Sequence, residues 1–331
     1  MNTNLSLSIK EEAYQIGFSY CGFAKAEYLA KQKVFFNEWL EKKHHSQMKY
    51  MENHVDKRLD PRLLFERAKT IVVCSINYYT NTDIAKDSNY KISKYAYGKD
   101  YHLVVKEKLS LLLNFIKHNN SHCEGKICVD SAPILEKAWA EKSGIGWIGK
   151  NTCLINKKSG SYNFLGALIL NIELDYDKPS KNYCGNCNKC IDACPTKALL
   201  KPYSLNANKC LSYLNIESKE PIPDEIAEKS NGWIFGCDIC QNVCPWNRFA
   251  KQHHIKEFEP LEATMNLAKK GHYAYSESEF KVQFKESAIS RVKYNVIKQN
   301  ILKINNKLTN QIKVGSKNSF LNLILKKSRT H

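Results

Sequence analysis

The chain has 331 residues, 43% of them hydrophobic, and 50 Lys and Arg against 33 Asp and Glu give a formal net charge of +17. This length predicts two or three domains with a sizeable core, and no apolar run approaches the ~18–20 residues of a membrane span. The opening Met1-Asn2-Thr3-Asn4 is not a basic stretch followed by an apolar one, so the expectation is a cytoplasmic protein without a membrane partner. The basic surplus predicts an acidic partner, most often nucleic acid.

In chain order, residues 9–19 read as a helix, 21–26 as a short strand and 29–43 as a helix with apolar residues at helical spacing. The β-branched run over 70–79 predicts a buried strand. Residues 102–117 form an amphipathic helical pattern, and 126–130 a short strand ending on Asp130. Pro133 is expected to open a helix running to Lys142. Gly144-Ile-Gly-Trp-Ile-Gly149 is a glycine-rich loop without the setting of a dinucleotide fingerprint. Further strands are expected at 153–155 and 164–173, so residues 1–175 read as an α/β domain. Lys178-Pro-Ser-Lys181 marks a linker into a cysteine module over 176–258. Residues 259–331 read as a short basic helical segment, which makes the chain α+β overall. Twelve Lys and Arg but one acid, Glu286, follow from Lys281 onward. A solvated tail is the bland reading of that run, and a polyanion-binding surface the functional one.

Of thirteen cysteines, Cys21, Cys74, Cys123, Cys128 and Cys153 are scattered, while the other eight crowd into one stretch. In a reducing compartment such crowding points to metal rather than disulfides. Cys184-x2-Cys187-x2-Cys190-x3-Cys194-Pro195 is a complete bacterial ferredoxin run, whose fourth cysteine serves the other cluster. Cys237-x2-Cys240-x3-Cys244-Pro245 is one cysteine short, and Cys210 is the natural replacement. The ligand count closes as Cys184, Cys187, Cys190 and Cys244 for one [4Fe–4S] cluster, and Cys194, Cys210, Cys237 and Cys240 for the other. Structural zinc is the competing chemistry for paired C-x2-C motifs. Two assembled cubanes with their thiolates would reduce the formal charge to about +13.

Three further segments precede the cysteines: Tyr95-Ala-Tyr97-Gly98-Lys-Asp100-Tyr101-His102, Asp130-Ser-Ala-Pro133-Ile-Leu135-Glu136-Lys-Ala138, and Gly144-Ile-Gly146-Trp147-Ile-Gly149-Lys150-Asn151. In this order, ahead of the doubled cluster motif, they resemble the epoxyqueuosine reductases over residues 10–300. The resemblance implies cobalamin in an N-terminal domain related to flavin-type reductases and reductive dehalogenases. It implies reduction of epoxyqueuosine to queuosine at the wobble base of tRNA. It also implies single electrons from an external low-potential donor passing through two clusters, in a monomer. A ferredoxin-type electron carrier and a reductive-dehalogenase-like reductase of small molecules are the alternatives.

The family's D-[ST]-A-P acid matches Asp130, which implies a proton donor. Beside apolar Ala132 and Pro133 its carboxyl is expected to stay protonated near neutral pH, while a helix cap is the plain alternative. Asp100, Tyr101 and His102 match a segment lining the same cavity, with Asp100 as a cap in the plain reading. Corrin contacts carried over from the resemblance are Arg58, Ser93, Asp130, Leu154, Leu165, Ser212 and Asp238. His102 is not read as a cobalt ligand, because Val105 stands where the D-x-H-x-x-G signature needs glycine. Lys and Arg over 281–329 are candidates for tRNA phosphates. Trp233, Trp246 and Tyr213 are candidates to stack on anticodon bases, with core packing as their competing role. The helical-repeat domain that some relatives carry is expected here as a remnant at most.

Overall fold

The computed structural model describes residues 3–86 and 88–306. The first half runs α1 (Thr3–Ile16), β1 (Tyr20–Lys25), α2 (Ala30–Glu41), α3 (Val55–Leu59), β2 (Thr70–Asn77), β3 (Lys91–Ile92), α4 (Tyr101–Asn119), β4 (Gly125–Cys128), α5 (Glu136–Lys142), β5 (Trp147–Ile148), β6 (Leu154–Ile155) and β7 (Asn163–Leu170). Then follow α6 (Lys189–Asp192), β8 (Leu199–Lys201), β9 (Ser204–Leu205), α7 (Leu211–Ile216), α8 (Asp224–Lys229), β10 (Trp233–Phe235), α9 (Ile239–Asn242), α10 (Glu262–Lys270) and α11 (Glu277–Gln283). Helical residues continue over 294–306. No described helix is long and apolar enough to cross a membrane.

The main sheet has the order β1-β2-β7-β4. β2 is buried along nearly its whole length because both of its faces are covered. Val72, Cys74 and Ile76 pack with α1 and α4 residues such as Ile9 and Leu109, whereas Ile71 and Val73 pack with Ala138 and Trp139 of α5. A strand covered on both sides reads as an unbroken apolar run, and this is why it is conspicuous in the sequence. The mixed helix–strand reading holds, but α/β in its usual parallel sense does not describe this sheet, in which every pairing is antiparallel.

Most expected elements lie within a few residues of their predicted bounds. Two differ for identifiable reasons. α1 begins earlier and ends at Ile16, where Gly17 takes φ +103°. α5 begins at Glu136, three residues after the proline expected to open it. The chain from Asp130 first makes a tight turn, with Asp130 at φ +50° and the Ile134 amide bonded to the Ala132 carbonyl.

Core packing crosses the sequence divisions at 175 and 258. Ile84, Tyr90, Ile92, Ala96 and Tyr97 belong to the apolar cluster built around Leu214, Phe235, Leu267 and Phe284, and Phe258 belongs to that of α1 and α4. Parallel pairing of β10 with β3 joins the two regions. The 178–181 segment lies against the first half, with the Ser180 hydroxyl donating to the Gly144 carbonyl at 2.9 Å.

Gly236 follows β10 at φ +67°, and a Cβ there would stand 2.3 Å from Ser93 Cβ. Both the backbone conformation and the close approach demand glycine. Gly236→Ala is expected to destabilise the protein by about 1–3 kcal/mol. Denaturant unfolding monitored by circular dichroism measures this, and an unchanged midpoint would contradict it.

Candidate active site and cluster-binding module

Two short helices, α6 and α9, carry the cysteine runs and pack against each other. Cys184, Cys187, Cys190 and Cys244 line one cavity of about 220 Å³ together with Lys150, Tyr183, Trp246 and Arg248. Among the described residues no three metal-ligating side chains converge on a point. This first set of sulfurs surrounds a volume instead, as the corners of a cubane require. The Trp147 indole N–H donates to Cys184 Sγ at 3.4 Å, and the Ala198 amide donates to Cys194 Sγ at 3.3 Å. Cys210, the residue preceding α7, interacts electrostatically with Cys194, Cys237 with both Cys210 and Cys194, and Cys240 with Cys237 and Cys210. Burial pushes the Cys190 thiol up to about 11 and the Cys237 thiol up to about 12. Burial thus keeps these thiols protonated at neutral pH unless a metal displaces the proton.

Of the scattered cysteines, Cys21, Cys74, Cys123 and Cys128 are buried, small apolar core residues. Cys153 differs, because it hydrogen-bonds to Cys240. Nothing in its spacing from the other cysteines signals that contact.

A second constellation forms where the N-terminus of α4 meets the turn after β4. Asp100 caps α4 through the His102 amide at 3.0 Å, and its carboxylate also accepts from His102 Nδ1 at 2.7 Å. His102 Nε2 lies 2.8 Å from Asp130 Oδ2. The Tyr101 ring stacks on Phe164, and its hydroxyl bonds to the Asp130 carboxylate. Arg291 enters from the C-terminal region, its Nη2 2.6 Å from His102 Nδ1 and 3.4 Å from Asp100 Oδ2, and its Nη1 3.7 Å from Asp130 Oδ2.

Burial alone would lower the pKa of His102, but its hydrogen bonds to Asp100 and Asp130 outweigh burial and the nearby Arg291 and hold it above the ordinary value. Burial alone would raise Asp130, but the His102 hydrogen bond and charge, with Arg291, bring it below the usual range. Asp100 is lowered by the same balance. The expectation that Asp130 stays protonated through desolvation is thus corrected, because two cations face a carboxyl that remains half exposed. The proton belongs to the Asp130–His102 hydrogen bond. A strongly raised acid does stand beside them. Glu136 accepts the Asp130 amide at 2.7 Å, and burial pushes its carboxyl up to about 8. Glu136 lies within the Asp130 motif and Arg291 within the basic C-terminal run, yet no role for either is legible in the sequence.

The remaining predicted contacts lie on several elements. Arg58 is buried and donates to the Tyr50 and Asn53 carbonyls at 2.8 and 3.2 Å. Tyr50, pushed up to about 12 by burial, interacts with Glu217, Asp130 and Arg58 alike, so the α3 entry and the Asp130 turn face each other. The Ser93 hydroxyl donates to the buried Asp238 carboxylate, which also accepts the Lys94 amide at 2.9 Å. Leu154 and Leu165 join the apolar cluster of α5, and Ser212 lies half-buried on α7. Trp233 and Tyr213 are core residues, the Tyr213 hydroxyl accepting the Gln47 amide, so neither is placed to stack on a base. Trp246 packs edge-on to Trp147 at the first cysteine cavity.

Comparison with known proteins matches residues 58–131 to a family model described as epoxyqueuosine reductase QueG, and residues 183–247 to a 4Fe-4S double cluster binding domain. An epoxyqueuosine reductase of Cellulophaga algicola is 48% identical over 91% of this chain and 99% of its own length. The chain belongs to the epoxyqueuosine reductase family. The Cyclobacterium marinum epoxyqueuosine reductase is 47% identical over 88% of this chain and 94% of its own. A crystal structure of epoxyqueuosine reductase with a tRNA-Tyr epoxyqueuosine-modified stem loop superposes with a TM-score of 0.82 at 34% identity, covering 91% of this chain and 80% of that one. The epoxyqueuosine reductase of Streptococcus thermophilus gives 0.81 at 31% identity, over 96% and 86%.

The N–H donated by Trp147 stabilises the more negative, reduced state of whatever cluster Cys184 holds. Trp147→Phe removes one hydrogen bond, worth about 0.5–1.5 kcal/mol, and should shift that cluster's midpoint potential to more negative values. Redox titration followed by electron paramagnetic resonance measures the shift, and an unchanged or raised potential would contradict it.

Proposed function

We propose that this chain reduces the epoxide of epoxyqueuosine at the wobble position of tRNA, giving queuosine. The observation that carries this reading is the Asp130–His102 hydrogen bond, an acid pair facing the Arg58 entry in a chain that spans nearly the whole length of its reductase relatives. Of the constellation, Asp100 and His102 side chains are 15% exposed and Asp130 50% exposed, so Asp130 is the member a substrate reaches.

Cys184, Cys187, Cys190 and Cys244 would hold one [4Fe–4S] cluster, and Cys194, Cys210, Cys237 and Cys240 the other. Three observations support cobalamin beside Asp130. Leu154 and Leu165 give it an apolar wall. Ser75 Oγ, on the strand residue paired with Leu165, is buried with no hydrogen-bond partner among the described residues. Arg58 pairs with no carboxylate among them, which leaves a buried cation for polar substituents of a ligand. When bound, cobalamin would supply a metal centre that takes single electrons and acts on the epoxide-bearing ring. The low-potential donor of those electrons is external.

The protein's own groups handle the proton. His102 passes its proton to Asp130, and Asp130 delivers it to the epoxide oxygen. Arg291 and Asp100 fix the imidazole between them. The Asp130 turn is held in its left-handed backbone by the Glu136 side chain, a contact that movement of the loop would have to break. A Bacillus subtilis relative has been solved with its catalytic aspartate loop swung out of the active site, and we assign the same loop here to residues 130–135. Lys285 and Lys293, both exposed, are candidates for tRNA phosphates. Candidates from Lys307 onward lie outside the described residues.

The test is anaerobic turnover of epoxyqueuosine-containing tRNA by the iron- and corrinoid-loaded protein with a strong one-electron reductant, read by nucleoside mass spectrometry. Asp130→Asn is expected to lose roughly 100-fold or more in rate, with the corrinoid absorption spectrum retained. Full rate in that variant would remove Asp130 from the mechanism, and full rate without corrinoid would overturn the cofactor assignment.

A further inference from the structure

Opening an epoxide to an alkene consumes two protons as well as two electrons. Both C–O bonds break, a C=C bond forms, and the oxygen leaves as water. The electrons come one at a time from the external low-potential donor. The Asp130–His102 pair holds one dissociable proton between its two members, since neutral imidazole and carboxylate are what remain after delivery. On the functional reading above, the site is therefore one proton short.

Of the acids that bear on Asp130, which include Tyr101 and Glu217, Glu136 is the one whose carboxyl is hydrogen-bonded into the turn itself. Glu136 opens α5, and its Oε1 accepts the Asp130 amide at 2.7 Å, which brings its carboxyl against the Asp130 turn. The groups that bear on it are Asp130 and His102, Tyr101 of α4, Cys128 at the end of β4, and Lys137 on its own helix. Lys137 donates to the Thr152 carbonyl at 2.8 Å, so its ammonium is directed to another partner. We propose that Glu136 is the second acid of the reaction and re-protonates Asp130 after the first proton has left. It acts through Asp130 and is a relay residue. Burial and the neighbouring Asp130 charge keep Glu136 protonated until the pH passes about 8, which makes that proton available under ordinary conditions. His102 and Glu136 together then supply both protons through one contact with the substrate, without a water channel to the reacting oxygen.

The test uses the loaded holoenzyme and Glu136→Gln. The glutamine carbonyl still accepts the Asp130 amide, so the turn is kept while the proton is lost. Wild-type kcat should fall as pH rises through about 8, with KM for tRNA little changed. Glu136→Gln should lower kcat at least about tenfold below pH about 8 and remove the fall near that pH, leaving only the alkaline loss set by His102, with unchanged corrinoid absorption. A variant that keeps the wild-type rate and pH profile overturns the relay. If glutamine prevents folding or corrinoid loading, Glu136→Asp decides. The relay requires retained activity with the alkaline limb moved to lower pH, and a limb that stays in place overturns it. Absence of turnover in the wild-type enzyme would instead overturn the functional reading, so the two failures are distinguishable.

Discussion

The parallel join between β3 and β10 is the constraint on which the rest of the molecule depends. It places Asp238, the residue after Cys237, against Ser93 and the Lys94 amide. Burial raises the Asp238 carboxyl above its ordinary value, and the two donors partly offset that cost. A buried carboxyl with both partners in place is expensive to misplace. The second cysteine set is thereby held at a fixed offset from the first-half residues that frame the Asp130 turn. Electron transfer falls steeply with distance, so a fixed offset matters more here than the strength of any one contact.

The acid–base constellation depends on a similar convergence. Asp100 and His102 come from the start of α4, Asp130 from the end of β4, and Arg291 from a segment far along the chain. Two carboxylates and two cations form a group near electrical neutrality, so clustering them costs less than burying any one alone. Arg291 links the C-terminal region directly to this constellation, and disturbance of residues 288–292 reaches it through that side chain.

What is legible in the sequence follows from range. The cysteine runs are spaced by two and three residues, so the cluster module is legible in the order of residues alone, whereas Cys210 carries no such spacing. The β2 run and the α4 amphipathicity are equally local. Asp130 and His102 can each be named through the family resemblance, but their hydrogen bond, and with it the correct protonation, depends on strand β4 ending beside the N-terminus of α4. The role of Arg291 is hidden for the same reason, since nothing local separates it from its basic neighbours. The direction of the sheet strands is not recoverable from composition. The late start of α5 escapes a local reading because Pro133 is a good helix opener, and the requirement for a left-handed Asp130 prevails over that preference.

The two cysteine sets differ in how deeply they are embedded. Cys210 and Cys237 pack against the large C-terminal apolar cluster, whereas Cys184, Cys187, Cys190 and Cys244 belong to none of the three cores and sit behind an exposed rim at Tyr183 and Arg248. A group held by the outer set would therefore lie nearer to solvent, and to oxidants dissolved in it, than one held by Cys210 and Cys237.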